Sequence, residues 1–150
     1  MNALIHLRAT RNNALKICKK LDLDQLNLIP ESFNNNLVWN LGHILVTQQL
    51  LCYRLSGTPC LVSDELIGRY RKGSKPEGVI GRDEIDYIEE MLLSSIDQMK
   101  ADLAAQRFGH YKPYATSYGI ELASIEDAIA FNGIHEAMHL GTMLALRKLV

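Results

Sequence analysis

Two histidines near the carboxyl-terminal end of the chain, His135 and His139, are four residues apart. On an α-helix this spacing places both rings on one face, one turn apart, where their nitrogens can reach a single ion at about 2.0 to 2.1 Å. An isolated pair is weak support for a metal site, because histidines that are hydrogen-bonded within a protein core can show the same spacing. A third ligand is needed to decide between the two interpretations.

The residues between these histidines complete a literal HExxH sequence, the motif in which the glutamate of a zinc protease acts as general base. We disfavour a protease because Thr142 and Ala145 occupy the glycine and histidine positions of the extended motif, and no acidic residue follows His139. Glu136 lies about 100° round the helix from His135. We therefore expect a surface ion pair for Glu136 and keep it as a less favoured candidate for a catalytic base.

The predicted inward face of this helix carries polar side chains where apolar ones would be expected. Its positions are Ile125, Ile129, Asn132, His135, His139, Met143 and Leu146. Burying an amide or an imidazole without partners costs about 1 to 3 kcal/mol, which a bound ion would offset. Asn132 is the second catalytic candidate, since it could hydrogen-bond a substrate or a metal-bound water, or it could instead orient an imidazole. The sequence favours neither role.

Four amphipathic segments are predicted as helices, and no segment alternates apolar and polar residues as a strand would. They run from about Asn2 to Leu21, from near Asn36 to Leu55 with Gly57 as terminator, from Arg82 to Gln106, and from the capping residue Ser124 to about Lys148. The economical arrangement is an all-α four-helix bundle that forms a single domain over residues 1–150.

A connection of unusual length, from Thr58 to Gly81, separates the second and third of these helices. It contains Pro59 and Pro76, and only the run from Leu61 to Tyr70 could form a turn of helix. Antiparallel neighbours need about two to eight connecting residues, whereas parallel helices about 30 Å long need at least about nine extended ones. We therefore predict that these two helices are parallel, in an up-down-down-up topology with a long crossover.

Two stretches of this sequence resemble a known family. They are NLVWNLGHI, from Asn36 to Ile44, and HEAMHLGTMLALRK, which begins at His135. The sequence resembles the DinB/YfiT-like superfamily of metal-binding four-helix bundles over nearly its whole length. The resemblance implies His43, His135 and His139 as the ligands of a divalent ion, the same helix topology, and a homodimer. On a helical wheel His43 lies about 120° from the main apolar stripe of its helix, so periodicity leaves its orientation undecided.

Three neutral imidazoles would leave a divalent ion its full charge and an open coordination position. Such an ion is a Lewis acid that lowers the pKa of bound water toward about 7 or holds a thiol as its thiolate. Relatives that the sequence resembles include transferases and isomerases that depend on low-molecular-weight thiols. We therefore expect a metal-dependent transferase or hydrolase that acts on a small molecule. The expected cofactor is a divalent transition metal, zinc or nickel first; the alternative is a non-catalytic dimeric bundle with a structural or vestigial metal site.

Composition excludes several other classes of function. Of the 150 residues, 47% are hydrophobic and 22% are charged, and the net charge is −1 at pH 7. Without a basic excess, we expect no binding to nucleic acid or to an acidic membrane surface. The least charged stretch, Phe33 to Tyr53, is interrupted by asparagine, histidine and glutamine, so no transmembrane helix is predicted.

The three cysteines, Cys18, Cys52 and Cys60, have no CxxC spacing, and no secretory signal is recognised. A reducing, cytoplasmic compartment is expected. We disfavour each cysteine as a nucleophile, because Cys18 and Cys52 fit buried helix positions and Cys60 has no basic cluster near it in sequence.

Several aromatic residues and the two remaining histidines lie outside the predicted ligand set. We expect His6 and His110 on the surface. Trp39, one turn before His43, could wall the site, and the loop from Phe108 to Tyr114 could cover its mouth.

Overall fold

The computed structural model describes residues 2–150. Its α-helices are α1 (Asn2–Cys18), α2 (Leu23–Asn27), α3 (Leu37–Gln48), α4 (Asp64–Tyr70), α5 (Arg82–Ala104) and α6 (Ile125–Leu146). A π-helix (Gln49–Tyr53) and a 3-10 helix (Arg54–Ser56) continue α3, and two short strands, β1 (Tyr114–Ala115) and β2 (Glu121–Leu122), form an antiparallel pair. The described chain is mainly helical, which confirms the all-α class.

The four longest helices pack against one another through their apolar faces. Helices α1 and α3 each contact both α5 and α6. The apolar face of α5 is buried, and its buried apolar members are Ile85, Ile88, Leu92, Ile96 and Met99. Among residues 2–150, no helix is both long enough and apolar enough to cross a bilayer.

Helix α3, together with the π-helix and the 3-10 helix that continue it, begins and ends where the sequence indicates. The Oδ1 atom of Asn36 accepts a hydrogen bond from the Trp39 backbone N–H at 2.8 Å, which caps the first turn. At the other end, Gly57 has φ of +67°, a left-handed conformation that suits glycine and terminates the helix. The predicted helix from Asn36 to Leu55 is therefore continuous in the structure, although its second half is π-helical and then 3-10.

Two details of the chain differ from the sequence prediction. Helix α1 ends at Cys18, and the predicted loop after it contains the short helix α2. A capping box starts α2, in which the Asp22 carboxylate accepts from the Gln25 N–H at 2.9 Å and the Gln25 side chain accepts from the Asp22 N–H at 3.1 Å. The strands were not predicted, because each has two residues and alternation cannot be recognised over so short a run.

The long connection between α3 and α5 contains helix α4, which packs on α3. Leu66, Ile67 and Tyr70 of α4 are buried in this contact. The close approach depends on Gly42 of α3, because a Cβ atom there would lie 2.4 Å from the ring of Tyr70. Glycine at this position therefore lets the end of α4 reach the surface of α3.

A fully buried arginine ties four helices together. Arg11 of α1 donates from Nη2 to the Glu136 carboxylate of α6 at 2.7 Å and to the Gln48 side chain of α3 at 3.1 Å. Its Nη1 donates to the backbone oxygen of Leu92 at 2.7 Å and to the Ser95 hydroxyl at 3.0 Å, both on α5. Its Nε also donates to Glu136 at 3.1 Å. All five N–H donors of the guanidinium thus have acceptors.

Candidate metal centre

The fold brings His43 of α3 together with His135 and His139 of α6. One nitrogen from each ring lies within 4.8 Å of the corresponding nitrogens of the other two rings. The ring centroids are separated by 5.1 Å between His43 and His135, 4.8 Å between His43 and His139, and 4.5 Å between His135 and His139. This cluster of three imidazoles could hold a metal ion, and it settles the orientation of His43 that periodicity left open.

Two of the rings are held by hydrogen bonds on the nitrogen that faces away from the cluster. His43 Nδ1 lies 2.7 Å from the backbone oxygen of Tyr70, and His139 Nδ1 lies 2.8 Å from Oδ1 of Asn40. Each oxygen can only accept, so each Nδ1 carries the proton and each Nε2 keeps its lone pair. This is the usual arrangement of histidines that bind metals.

The amide of Asn40 is itself held in one orientation. Its Nδ2 donates to the backbone oxygen of Asn36 at 2.7 Å and to Oδ1 of Asn35 at 3.0 Å. These two bonds identify the nitrogen and leave Oδ1 to accept from His139. Asn36, which also caps α3, and the preceding Asn35 therefore orient a partner of a candidate ligand.

The third ring has a buried polar atom without a partner. Among residues 2–150, no group hydrogen-bonds Nδ1 of His135, and solvent does not reach this atom. A buried nitrogen without a hydrogen-bond partner destabilises the folded state, so Nδ1 of His135 needs an additional partner. Three convergent imidazoles, one of them incompletely satisfied, form a donor set that fits a transition-metal ion.

Burial keeps the three imidazoles neutral at physiological pH. Desolvation, with the neighbouring His139 and His43, lowers the pKa of His135 to about 3. Desolvation and His43 lower the pKa of His139 to about 4. Desolvation also lowers the pKa of His43, against the opposing effect of its bond to Tyr70. Neutral imidazole is the form that binds a metal, so the site needs no deprotonation at pH 7.

Trp39 packs directly on the cluster. Its ring stacks on His43 with centroids 4.5 Å apart and an interplanar angle of 11°, and it lies 6.3 Å from the ring of His139. Its Nε1 donates to the hydroxyl of Ser74 at 3.0 Å. The indole therefore walls the histidines on the side toward α4, in the place that the sequence suggested.

Glu136 lies in the core and not on the surface. Its side chain is fully buried and forms the ion pair with Arg11, so the expected surface ion pair is wrong in its location. The reason is that α6 packs on both α1 and α3, and a position about 100° from the histidines faces α1. Glu136 is not part of the histidine cluster.

Asn132 is also fully buried. Its Nδ2 lies 3.5 Å from Sγ of Cys52, and its Oδ1 has no hydrogen-bond partner among the described residues. It does not line the cavity beside the histidines. The structure therefore places Asn132 behind the site and brings it into no contact with the ligand nitrogens.

A cavity of about 360 Å³ opens beside His43 and His135. Its walls come from α3 and the two short helices that continue it, from the loop after α4, from the β1–β2 hairpin and from α6. Its apolar members include Leu51, Leu55, Tyr114, Tyr118, Phe131 and Met138. The aromatic cover was expected from the loop Phe108 to Tyr114, and of that loop only Tyr114 lines the cavity. The hairpin residues Thr116 to Tyr118 supply the rest of this wall.

The remaining candidates lie apart from the cluster. Burial raises the pKa of Cys18 and of Cys52 to about 12 and also raises the pKa of the half-buried Cys60, so none of the three thiols is an activated nucleophile. His6 and His110 are exposed, as expected.

Sequence reasoning missed two partners of the histidines, Asn40 and Tyr70. Asn40 precedes His43 by three residues and shares its face of α3, which was a usable signal. Tyr70 contributes a backbone oxygen from a helix that is distant in sequence. Every residue carries a backbone oxygen, so the residue type at position 70 does not indicate this hydrogen bond.

A family model described as the DinB superfamily matches residues 6–143. The chain belongs to the DinB superfamily. With the three-histidine cluster, this membership fits a metal-binding DinB-like protein.

One solved structure extends the comparison beyond the family model. A crystal structure of a conserved protein from Enterococcus faecalis is similar to this chain with a TM-score of 0.69, and the match covers 99% of this chain and 94% of that one. Its sequence identity is 12%, so the likeness concerns the fold alone. No protein of curated function matches this DinB-like chain.

Proposed function

We propose that this DinB-like protein is a metal-dependent transferase or hydrolase whose ion is held by His43, His135 and His139. The observation that carries the proposal is the cluster of three imidazoles whose ligand nitrogens lie within 4.8 Å of one another. The hydrogen bonds from His43 to Tyr70 and from His139 to Asn40 leave the Nε2 lone pairs of these two rings available, with the Thr47 hydroxyl 3.4 Å from Nε2 of His43. The cofactor we propose is a divalent transition metal, with zinc or nickel as the first candidates.

A divalent ion with three imidazole ligands and an open position supplies Lewis acidity, which activates a thiol or a water for attack on a substrate. The chain supplies the rest. Tyr70 and Asn40 hold two rings in one tautomer, and Trp39 excludes water from one side of them. The apolar cavity beside His43 and His135 accepts the substrate.

We assign Glu136 no part in proton transfer, because both of its carboxylate oxygens bind Arg11 in the core. For Asn132 we favour the orienting role over direct substrate contact. Its amide is fully buried and does not line the cavity that would accept the substrate.

Cobalt substitution tests whether the ion activates a thiol. We expect that addition of 2-mercaptoethanol to the cobalt-loaded protein produces a sulfur-to-cobalt charge-transfer band, because a vacant position admits the sulfur. The same addition to His43→Ala should give no band, and His110→Ala serves as the control that retains it. Absence of the band in the wild-type protein would leave water activation as the surviving form of the proposal.

The second candidate function is a non-catalytic dimeric bundle, and the outer face of α6 favours the dimer. Between Ala128 and Leu146 the only charged residue is the buried Glu136. The exposed positions of this stretch are Ala130, Ile134, Ala137, Met138, Gly141, Leu144 and Ala145. An extended apolar helix face is normally covered, and a second copy would cover this face about a two-fold axis.

Light scattering on wild type and Ala137→Glu tests this interface. We expect a dimer for the wild type and a monomer for the variant, because a two-fold axis would bring two buried carboxylates together. Wild-type protein that is monomeric at high concentration would contradict the proposed dimer.

A stability measurement distinguishes a catalytic metal ion from a structural one. We expect His139→Ala to lose the metal with only a modest fall in melting temperature, since an open site contributes little to the fold. A loss of several kcal/mol in the free energy of unfolding would favour a structural ion instead.

We also propose a helix topology and a cellular location for this protein. The four long helices are proposed to form an up-down-down-up bundle in one domain, with the connection that contains α4 as the long crossover. A cytoplasmic location agrees with the three cysteines, which form no disulfide.

A further inference from the structure

The cavity beside His43 and His135 has an uneven distribution of charge. Most of its wall is apolar and includes leucines of the two short helices that continue α3, together with Phe131 and tyrosines of the hairpin. Two cationic side chains, Arg54 and Lys72, also line it, and no acidic residue does. The whole chain has a net charge of −1, so the absence of acidic residues beside these two cations is a feature of the cavity wall.

The two cations differ in what they already bind. Arg54 forms an ion pair with Asp64, with a nitrogen-to-oxygen distance of 2.5 Å. Lys72 has neither a hydrogen-bond partner nor an ion-pair partner for its side chain among residues 2–150. Lys72 is therefore the cation that is available to a ligand.

The backbone of Lys72 is anchored on both sides. Two residues before it, the Tyr70 carbonyl accepts the hydrogen bond of His43. Two residues after it, the Ser74 hydroxyl accepts from Nε1 of Trp39 and donates to the backbone oxygen of Arg69 at 2.7 Å. The turn that carries Lys72 is thus attached to the residues of the candidate metal centre, which fixes where its ammonium can reach.

We propose that the substrate of this site is an amphipathic anion, with an apolar body in the cavity and one carboxylate bound by Lys72. This inference rests on the proposed function, since it names the substrate class of the same site. Lys72 is exposed, so its ammonium can attract an anion from solvent, while the apolar walls beside it bury the apolar part of the same ligand. The volume of about 360 Å³ lies at the lower end of ligand pockets, which indicates a small substrate.

A matched pair of ligands tests the role of the charge. The probes are 4-phenylbutyrate and 4-phenylbutan-1-ol, which share an apolar body and differ in the carboxylate. Calorimetric titration of the zinc-loaded protein should show the carboxylate binding about threefold to fivefold more tightly than the alcohol. Lys72→Met should abolish this preference and leave the affinity for the alcohol unchanged, while Lys72→Arg should retain it.

Lys75→Met is the control, because Lys75 lies on the same loop and does not line this cavity. It should bind both probes as the wild type does. A preference for the carboxylate that survives in Lys72→Met would overturn the inference, and so would equal affinity of the wild type for both probes or no binding of either.

Titration of the metal-free protein separates failure of this inference from failure of the proposed function. If the preference depends on Lys72 with and without zinc, the inference holds. If the preference requires zinc and ignores Lys72, the carboxylate binds the ion, so the inference fails while the metal site stands. If no zinc binds and Lys72 still sets the preference, the proposed function fails while the anion site stands.

Discussion

At the level of single residues, the hydrogen bonds on the outer nitrogens of His43 and His139 decide which atoms remain for an ion. Both bonds end on oxygens that are themselves fixed, one in the backbone at the last residue of α4 and one in the amide of Asn40. The pair His135 and His139 could be predicted from spacing, because a helix places residues i and i+4 together. Their partners could not, since a hydrogen bond between distant segments has no sequence period.

Removal of the Asn40 amide should weaken metal binding without removing a ligand. In Asn40→Ala, the His139 ring loses the acceptor that fixes its tautomer, and loss of such a partner typically costs about 10- to 100-fold in metal affinity. Competition with a chromophoric chelator measures the effect. The exposed His110→Ala variant is the control, and an Asn40→Ala affinity equal to that of the wild type would contradict the assigned role.

Metal affinity should change little between pH 7.5 and pH 6. Three imidazoles with an ordinary pKa of about 6.5 would together lose roughly 50-fold in the neutral form over this interval. Burial lowers the pKa of His135 to about 3 and of His139 to about 4, so protons compete with the metal only at lower pH. Zinc titrations at the two pH values should differ by no more than a few-fold, and a 50-fold loss on acidification would show that the rings are not desolvated.

At the level of elements, the packing of α3 and α6 explains why helical wheels did not predict the orientation of His43 or the burial of Glu136. Every residue of α3 from Leu37 to Val46 is buried, so this helix has no single inward face and His43 can point to the site from outside the main stripe. Likewise, α6 contacts α1 on one side and α3 on another. The wheel assumes one buried face, and that assumption fails at His43 and at Glu136.

The approach of α4 to α3 should be sensitive to a single methyl group at Gly42. A Cβ atom in Gly42→Ala would meet the buried Tyr70 ring at 2.4 Å, and overpacking of this kind costs about 1 to 3 kcal/mol. Movement of Tyr70 would also disturb its bond to His43 and weaken metal binding. Gly68→Ala in α4 is the matched control, because its Cβ meets no atom within 4 Å and alanine is the better helix former. Urea unfolding in which both variants match would contradict the packing account.

Loss of the Glu136 charge should destabilise the fold without abolishing the metal site. In Glu136→Gln, the Arg11 guanidinium remains buried without a counter-ion, and broken buried pairs cost about 3 to 5 kcal/mol. Arg82→Met, which removes an exposed pair with Asp86, should cost less than about 1 kcal/mol. The folded Glu136→Gln protein should still bind one equivalent of zinc. Wild-type stability in this variant would contradict a structural role for Glu136.

At the level of the whole molecule, composition and periodicity predicted the helical class because four long segments keep their apolar spacing. The cavity could not be predicted in this way. Its walls come from α3, the loop after α4, the hairpin and α6, which are far apart in the chain and meet only in the fold. Short elements such as α2 and the hairpin escaped prediction for a different reason, since their stability depends on caps and packing more than on a periodic pattern.

The metal content of the untagged protein is the most direct test of the central claim, which is that His43, His135 and His139 together hold one ion. Elemental analysis should find close to one equivalent of a divalent transition metal per chain in the wild type, and close to none in His43→Ala. His6→Ala, which removes an exposed histidine, should retain the wild-type content. If neither the wild type nor the variant holds metal after incubation with zinc or nickel, the three histidines are hydrogen-bonded core residues and the metal centre is contradicted.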